Sequence, residues 1–318
     1  ELEDYFISIN EKKFRAVQVY EALYKRRIKS FDDMTNISKE VREKLKQVFS
    51  FYKIKMLIKQ QGKNVNKYLF ELEDGNKIES VLMFHDYGTS ICVSSQVGCN
   101  MTCAFCESGR LKKVRNLLAY EIVQQILQIE EDINKRITHV VLMGIGEPFD
   151  NYDNVLRFVK IINCGKGIDI GSRHITISTC GVIPGIKKFM NEEGQVNLAI
   201  SLHAPNDALR SRIMPINKAY PLNELMETIK EYINKTNRRV TFEYIMLDNV
   251  NDSEENAKEL AILLKGINCY VNLIPYNETE NIEFKRTKEW KIMKFYDILK
   301  KNKINVTIRK EFGGSVDA

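Results

Sequence analysis

The chain has 318 residues, 44% of them hydrophobic, and its 48 Lys and Arg against 42 Asp and Glu give a formal net charge of +6. That size suits one large catalytic domain with small appendages or two medium domains, and the mild basicity suits a polyanionic partner such as RNA without requiring one. No stretch approaches the roughly 18 uninterrupted apolar residues a membrane helix needs, so no membrane-spanning helix and no membrane partner are expected.

Residues 1–50 read as helical. Phe14, Val17, Val19, Tyr20, Leu23 and Tyr24 recur at helical spacing, with Lys12, Lys13, Arg15, Lys25, Arg26, Arg27 and Lys29 around them. A second helix is expected after Ser38, whose hydroxyl can cap the first turn. The basic residues read either as a solvated helix face or as a small RNA-binding accessory domain. Residues 51–89 read as a β-hairpin linker segment, because Asp74-Gly75-Asn76 separates two strand-like runs, 67–72 and 77–82.

From residue 90 to 318 strands and helices alternate. Strands are expected at 90–96, 138–144, 173–179, 196–202, 239–246, 269–274 and 304–309. Helices are expected near 117–132, 152–163, 183–191, 222–235, 254–265 and 286–302. Such alternation means parallel strands with right-handed crossovers. The units are fewer than the eight of a complete barrel. The expected fold is therefore α/β, a partial (β/α)6-type barrel preceded by a small helical domain and a short hairpin segment.

Seven cysteines occur, and three lie within eight residues, in Cys99-Asn100-Met101-Thr102-Cys103-Ala104-Phe105-Cys106. An odd count with that clustering argues against a disulfide framework and for metal or thiol chemistry in a reducing cytoplasm. The run follows the first expected barrel strand, and barrel chemistry sits on loops leaving the C-terminal ends of strands. Three thiolates this close can supply three of the four protein ligands of an iron–sulfur cluster, leaving one iron open. Structural zinc or a simple electron-carrying cluster would want a fourth ligand, and no nearby His or second CxxC offers one. Gly144-Ile145-Gly146-Glu147-Pro148, after the second barrel strand, is a plausible cradle, with Glu147 available to an ammonium group.

The pattern CxxxCxΦC, with Φ aromatic, resembles the signature of the radical S-adenosylmethionine superfamily. Further stretches narrow the match: Cys92 to Cys99, Met143 to Pro148, Thr176 to Thr179, Ser201 to Asp207, Met214 to Asn217 and Asn272 to Asn277. With Phe14 to Val19, they resemble the RNA adenine methyl synthases, the RlmN and Cfr family, along essentially the whole chain.

The resemblance implies a 4Fe-4S cluster on Cys99, Cys103 and Cys106. It implies that Gly146, Glu147, Ser178, Ser201, Leu202, His203 and Asn277 contact S-adenosylmethionine, which serves as methyl donor and radical source. It makes Cys92 the thiol that helps release the methylated base and Glu79 a proton acceptor; read without the family, these would be a core residue and a solvated carboxylate. Cys164, Cys180 and Cys269 read as packing residues. A methyl-carrying cysteine is implied beyond Val316-Asp317-Ala318.

The implied reaction is methylation of carbon 2 of an adenosine in 23S rRNA, possibly extending to tRNA. One S-adenosylmethionine methylates the tail cysteine. A second yields an adenosyl radical that abstracts hydrogen from the S-methyl group, and the methylene radical adds to the base. The substrate adenosine is expected to be splayed out of its stack, with Arg110, Lys112, Lys113 and Arg115 holding phosphates. The stretch 107–113 departs from the family's small-residue and later-glycine pattern, so substrate placement beside the cluster is expected to differ. A low-potential electron donor such as flavodoxin, a monomeric state and a cytoplasmic setting complete the expectation. The alternatives are carbon-8 methylation of the Cfr type and a non-catalytic RNA-binding iron–sulfur protein.

Overall fold

A computed structural model describes residues 2–309. The stretch 310–318, which includes Val316-Asp317-Ala318, lies outside the described residues.

Three helices open the chain: α1 (Leu2–Ser8), α2 (Phe14–Tyr24) and α3 (Lys39–Val48). Ser38 caps α3, its Oγ accepting the Val41 amide at 3.4 Å. Phe6, Val19, Phe31, Met34, Val41 and Leu45 form a core of their own. The basic residues of this unit are largely engaged by protein. Lys13 pairs with Glu3, Arg15 with Glu11, Arg27 with Glu130 and Lys29 with Glu131. Arg26 donates to the Asn36 side chain. The last two ion pairs, together with Tyr20 Oη donating to Ile161 O at 2.9 Å, tie the helical unit to the rest of the molecule.

Strands β1 (Lys55–Gln61), β2 (Val65–Glu71) and β3 (Lys77–His85) make an antiparallel meander. The expected turn at Asp74-Gly75-Asn76 joins β2 to β3, with Asp74 Oδ1 accepting the Asn76 amide at 3.1 Å. Strand β4 (Gly88–Cys92) pairs antiparallel with β3 on one side and parallel with β7 (His139–Leu142) on the other. The meander and the barrel are thus one continuous sheet of ten strands. A two-stranded ribbon, β5 (Gln96–Val97) with β6 (Arg115–Asn116), brackets the cysteine loop.

Helix α4 (Ala119–Ile133) follows the ribbon and α5 (Tyr152–Asn163) follows β7. Then come β8 (Ile175–Thr179), α6 (Ile183–Phe189), β9 (Asn197–Ser201), α7 (Asp207–Ile213) and α8 (Leu222–Thr236). The chain closes with β10 (Val240–Met246), α9 (Glu254–Leu263), β11 (Cys269–Pro275), α10 (Glu289–Lys301) and β12 (Val306–Ile308). Strands β4, β7, β8, β9, β10, β11 and β12 run parallel in that order, the expected α/β partial barrel. Short α7 was not expected; at seven residues it is too brief to carry a readable periodicity.

Strand alternation divides each barrel strand between two faces. Ile91, Val140, Leu142, Ile175, Ile177, Leu198, Ile200, Phe242, Val271 and Leu273 pack into one core with the helices. The intervening residues, among them Cys92, Val141, Thr176, Ser178, Ser201, Glu243 and Asn272, face the opposite way, into the concave side. Among the described residues no helix is long and apolar enough to cross a membrane.

Candidate active site

The sequence-identified residues converge on one end of the barrel because parallel strands deliver all their exits to the same side. The exit of β4, Val93 to Gln96, runs across the exit of β7. Val93 donates to Val141 O at 3.0 Å, Gly144 to Val93 O at 3.1 Å and Ser95 to Ile145 O at 2.9 Å. Gly146 sits at φ +107°, where a Cβ would stand 2.6 Å from Gln96 Cβ. The glycine that the sequence offered as a ligand cradle is thus demanded first by the protein's own neighbouring strand. Ser94 and Gln125 fasten this crossing from below. Ser94 Oγ donates to Glu79 O at 2.6 Å and accepts the Ile145 amide at 3.0 Å. Gln125, on α4, accepts from Ser80 Oγ and the Ser94 amide and donates to Ser94 O.

The cysteine loop is curled by its own backbone. The Cys99 amide donates to Leu111 O at 2.9 Å, Cys106 to Cys103 O at 3.1 Å and Gly109 to Cys106 O at 3.0 Å. Thr102 takes a left-handed conformation, φ +50°, to make the bend. Ala104 donates to Ile213 O at 2.9 Å, hanging the loop from the end of α7. Met101, Cys103 and Phe105 pack on Cys180, Ala204, Ile213 and Met214. Burial, with the thiols of Cys106 and Cys99 adding to it, pushes the Cys103 thiol up to about 12. Burial likewise raises Cys99, with Cys106 adding to it. Cys99 and Cys103 are thus desolvated with the Cys106 thiol close by, an arrangement that suits a cationic centre, which would hold the three as thiolates. Glu107 Oε1 and Tyr276 Oη nearby are buried without a hydrogen-bond partner. Among the described residues no three Cys, His, Asp or Glu side chains are grouped to hold a single metal ion. The donor set fits a multi-iron cluster instead, in which each thiolate binds a different iron.

The residues assigned to S-adenosylmethionine lie at or just beyond the exits of β7, β8, β9 and β11. Glu147 is only 3% exposed; its Oε1 accepts the Phe149 amide at 3.0 Å and its Oε2 the Cys180 amide at 2.8 Å. The Cys180 thiol and the Thr179 hydroxyl also bond this carboxylate. Burial raises the Glu147 pKa, and these backbone donors oppose the rise. Ser178 lies on the concave face of β8, Ser201 ends β9, and buried Leu202 follows it. His203 adopts φ +60° and sets its ring edge-on to Phe105, centroids 4.9 Å apart. Asn277 stands exposed, two residues beyond β11.

Cys92 and Glu79 fall on one face of the β3–β4 pair. Cys92 lies opposite Val81, so Glu79 is the diagonal neighbour, about 7–8 Å away between backbones. Cys92 packs on Val65, Val81 and Met83; burial raises its pKa, and the Arg309 charge pulls it back. Glu79 is ion-paired with Lys67 at 3.1 Å. Cys180 and Cys269 are buried packing residues as expected, while Cys164 is only partly buried.

The expected phosphate clamp is largely spent within the protein. Lys113 pairs with Asp150 at 2.7 Å, Arg115 with Asp74 and Glu121, and Arg110 donates to Asn281 O. These side chains sit beside carboxylates that a sequence pattern does not reveal.

Several site residues carried no role in the sequence reading. Gln96 accepts the Glu147 amide at 2.9 Å and donates to Asn116 and Asp150. Asn251 donates to His203 O and Ile245 O. Arg210, fully buried, donates to the carbonyls of Cys180, Ser201 and Leu202. Gln96 lay inside a family-like stretch; Arg210 and Asn251 gave no local signal.

Residues 93–261 match the family model of the Radical SAM superfamily, and residues 1–51 match that of the ribosomal RNA large subunit methyltransferase N-terminal domain. A protein of Spiroplasma citri named "Probable dual-specificity RNA methyltransferase RlmN" is 55% identical over 96% of this chain and 90% of its own. One of the same name from Enterococcus faecalis is 53% identical over 100% of this chain and 92% of its own. The crystal structure of a radical SAM methyltransferase from Sphaerobacter thermophilus superposes with a TM-score of 0.94 at 40% identity, covering 99% of this chain and 94% of that one.

Proposed function

The chain belongs to the RlmN family of radical SAM RNA methyltransferases, and on that premise we propose that it methylates carbon 2 of an adenosine in 23S rRNA and in tRNA. The observation that carries this reading is the placement of Cys92 and Glu79 together on the concave face, at the strand that leads into the three-cysteine loop. An aromatic carbon bearing hydrogen is not nucleophilic, so a reactive thiol and a base beside a radical source are what its methylation requires.

Cys99, Cys103 and Cys106 hold a 4Fe-4S cluster, and Gly146, Glu147, Ser178, Ser201, Leu202, His203 and Asn277 hold S-adenosylmethionine. When bound, the cluster supplies a low-potential electron and S-adenosylmethionine supplies both the methyl group and the initiating adenosyl radical. Glu147 receives the ammonium group with its buried carboxylate. His203 Nε2 donates a hydrogen bond, since Nδ1 is occupied by the Ile245 amide. Glu79 takes the proton from the substituted ring carbon at its carboxylate. The Cys92 thiolate attacks the sulfur that links protein to RNA; a disulfide forms, and the electron pair of the broken carbon–sulfur bond is protonated to leave a methyl group.

Residues 1–50 act as an RNA-binding accessory domain, and the strands of 51–89, expected as a separate hairpin segment, extend the catalytic sheet that follows. A flavodoxin-like donor supplies electrons, and the thiol chemistry suits a reducing cytoplasm. Incubating reconstituted full-length protein with S-adenosylmethionine, a reductant and either rRNA or tRNA, then identifying the nucleoside by mass spectrometry, tests the function. 2-Methyladenosine is expected; 8-methyladenosine would make it a Cfr-type enzyme.

A further inference from the structure

Arg210 is the largest fully buried side chain in the molecule. Its guanidinium makes four hydrogen bonds and, among the described residues, no ion pair. Nε donates to Leu202 O at 3.1 Å, Nη2 to Cys180 O at 2.7 Å and Ser201 O at 3.2 Å, and Nη1 to Asn217 Oδ1 at 2.8 Å. Two carboxylates stand near, each at one remove. Asp207 accepts from Asn217 Nδ2 at 2.7 Å and from the Leu222 amide at 2.8 Å. Glu147 accepts the amide of Cys180, whose carbonyl Arg210 holds. A guanidinium remains charged even when buried, and burying it without a contacting anion is expensive. Stability alone gives little reason to keep it.

Its position supplies one. Arg210 lies on α7, and the end of that helix, Ile213 O, holds the Ala104 amide between two of the loop cysteines. Cys180, whose carbonyl it grips, packs against Cys103 in the apolar cluster beneath the loop. The charge acts on its surroundings there: it lowers the pKa of Cys103 and that of His203. A cluster held by three thiolates becomes more negative on reduction, and potentials of such clusters respond to nearby charge and solvent exclusion.

Resting on the assignment of Cys99, Cys103 and Cys106 as cluster ligands, we propose that Arg210 is the charge that sets the reduction potential. Buried beneath the loop on the carbonyl of Cys180, which packs against Cys103, and with no anion in contact among the described residues, it stabilises the reduced cluster and raises its midpoint potential. The step is a one-electron reduction of the cluster by a low-potential donor, with no proton transferred. Arg210 touches no substrate, so it is a positioning residue acting through the field at the cluster.

The test is an anaerobic redox titration of the reconstituted full chain with dithionite, followed by electron paramagnetic resonance. Arg210→Gln is expected to disfavour reduction by about tenfold, a midpoint about 59 mV more negative for one electron. Arg210→Lys keeps the charge and is expected to stay near the wild type. Asp207→Asn removes the partly compensating negative charge and is expected to move the midpoint the opposite way. An unchanged midpoint in Arg210→Gln, or an equal shift in Arg210→Lys, overturns the proposal. If Arg210→Gln fails to fold, Asp207→Asn decides: a rise supports the proposal and no rise overturns it. Absence of a cluster signal in the wild type would defeat the ligand assignment itself, and the proposal with it.

Discussion

His203 Nδ1 accepts the backbone amide of Ile245 at 3.0 Å. That bond fixes the ring as the neutral tautomer with its proton on Nε2. Burial, with the Arg210 charge adding to it, depresses the pKa to about 3. In the unfolded chain the same ring titrates near 6.5. The folded-state value is the lower one, so the unfolded state gains a proton first as pH falls. The stability His203 contributes is therefore complete above about pH 6.5 and drains away toward pH 3, by about 1.4 kcal/mol per pH unit. A 13C-histidine titration is expected to show one ring, removed by His203→Gln, with no inflection between pH 5 and 8. An inflection near 6.5 for that ring would refute the assignment.

Gly146→Ala places a methyl group 2.6 Å from Gln96 Cβ on a backbone at φ +107°. Neither the strand exit nor the φ value can relax alone. The strain is expected to cost about 1–3 kcal/mol and to weaken S-adenosylmethionine binding, read by calorimetry, because Gly146 and Glu147 share the turn. Unchanged affinity would mean the turn does not hold the cosubstrate.

Gln125→Leu is nearly isosteric yet leaves Ser80 Oγ, the Ser94 amide and Ser94 O without their partner. Several orphaned buried groups are expected to cost about 3 kcal/mol in denaturant unfolding. The half-buried Gln124→Leu on the same helix, which loses only the bond from Gln128, serves as the control and is expected to cost less.

The two ion pairs that tie the helical unit to α4 are unequal. Arg27 meets Glu130, whose side chain is 9% exposed and also accepts the Ile137 amide. Lys29 meets Glu131 in solvent. Arg27→Ala is expected to cost about 1–3 kcal/mol and to speed proteolysis between 49 and 54, whereas Lys29→Ala changes neither measurably.

Cys92→Ala removes the thiol assigned to product release. With full-length protein, cofactors and RNA, a covalent protein–RNA species is expected to accumulate on a denaturing gel, and added thiol should not be needed to preserve it. Free methylated RNA at the wild-type rate would remove Cys92 from the reaction.

The strand–helix alternation and the three-cysteine loop were legible because each is a local pattern, whereas Ser178, Ser201 and His203 carried no pattern of their own and were named only through the family resemblance. The continuity of β1 to β3 with the barrel was not legible, because pairing between β3 and β4 is a register, and a register leaves no mark in either strand alone. Arg110, Lys113 and Arg115 read as free cations since their partners, Asn281, Asp150, Asp74 and Glu121, lie up to 171 positions away in the chain. Arg210 escaped notice for a related reason: an arginine on a short helix looks solvent-facing until the loop above it is placed.

The most direct test of the account is production of 5′-deoxyadenosine from S-adenosylmethionine by the anaerobically reconstituted protein with dithionite. The wild type is expected to produce it, and Cys99→Ala, Cys103→Ala and Cys106→Ala are each expected to abolish it while circular dichroism stays unchanged. Continued production in any one of the three variants, or none from an iron-loaded wild type, would contradict the assignment of this loop as the centre of a radical methyltransferase.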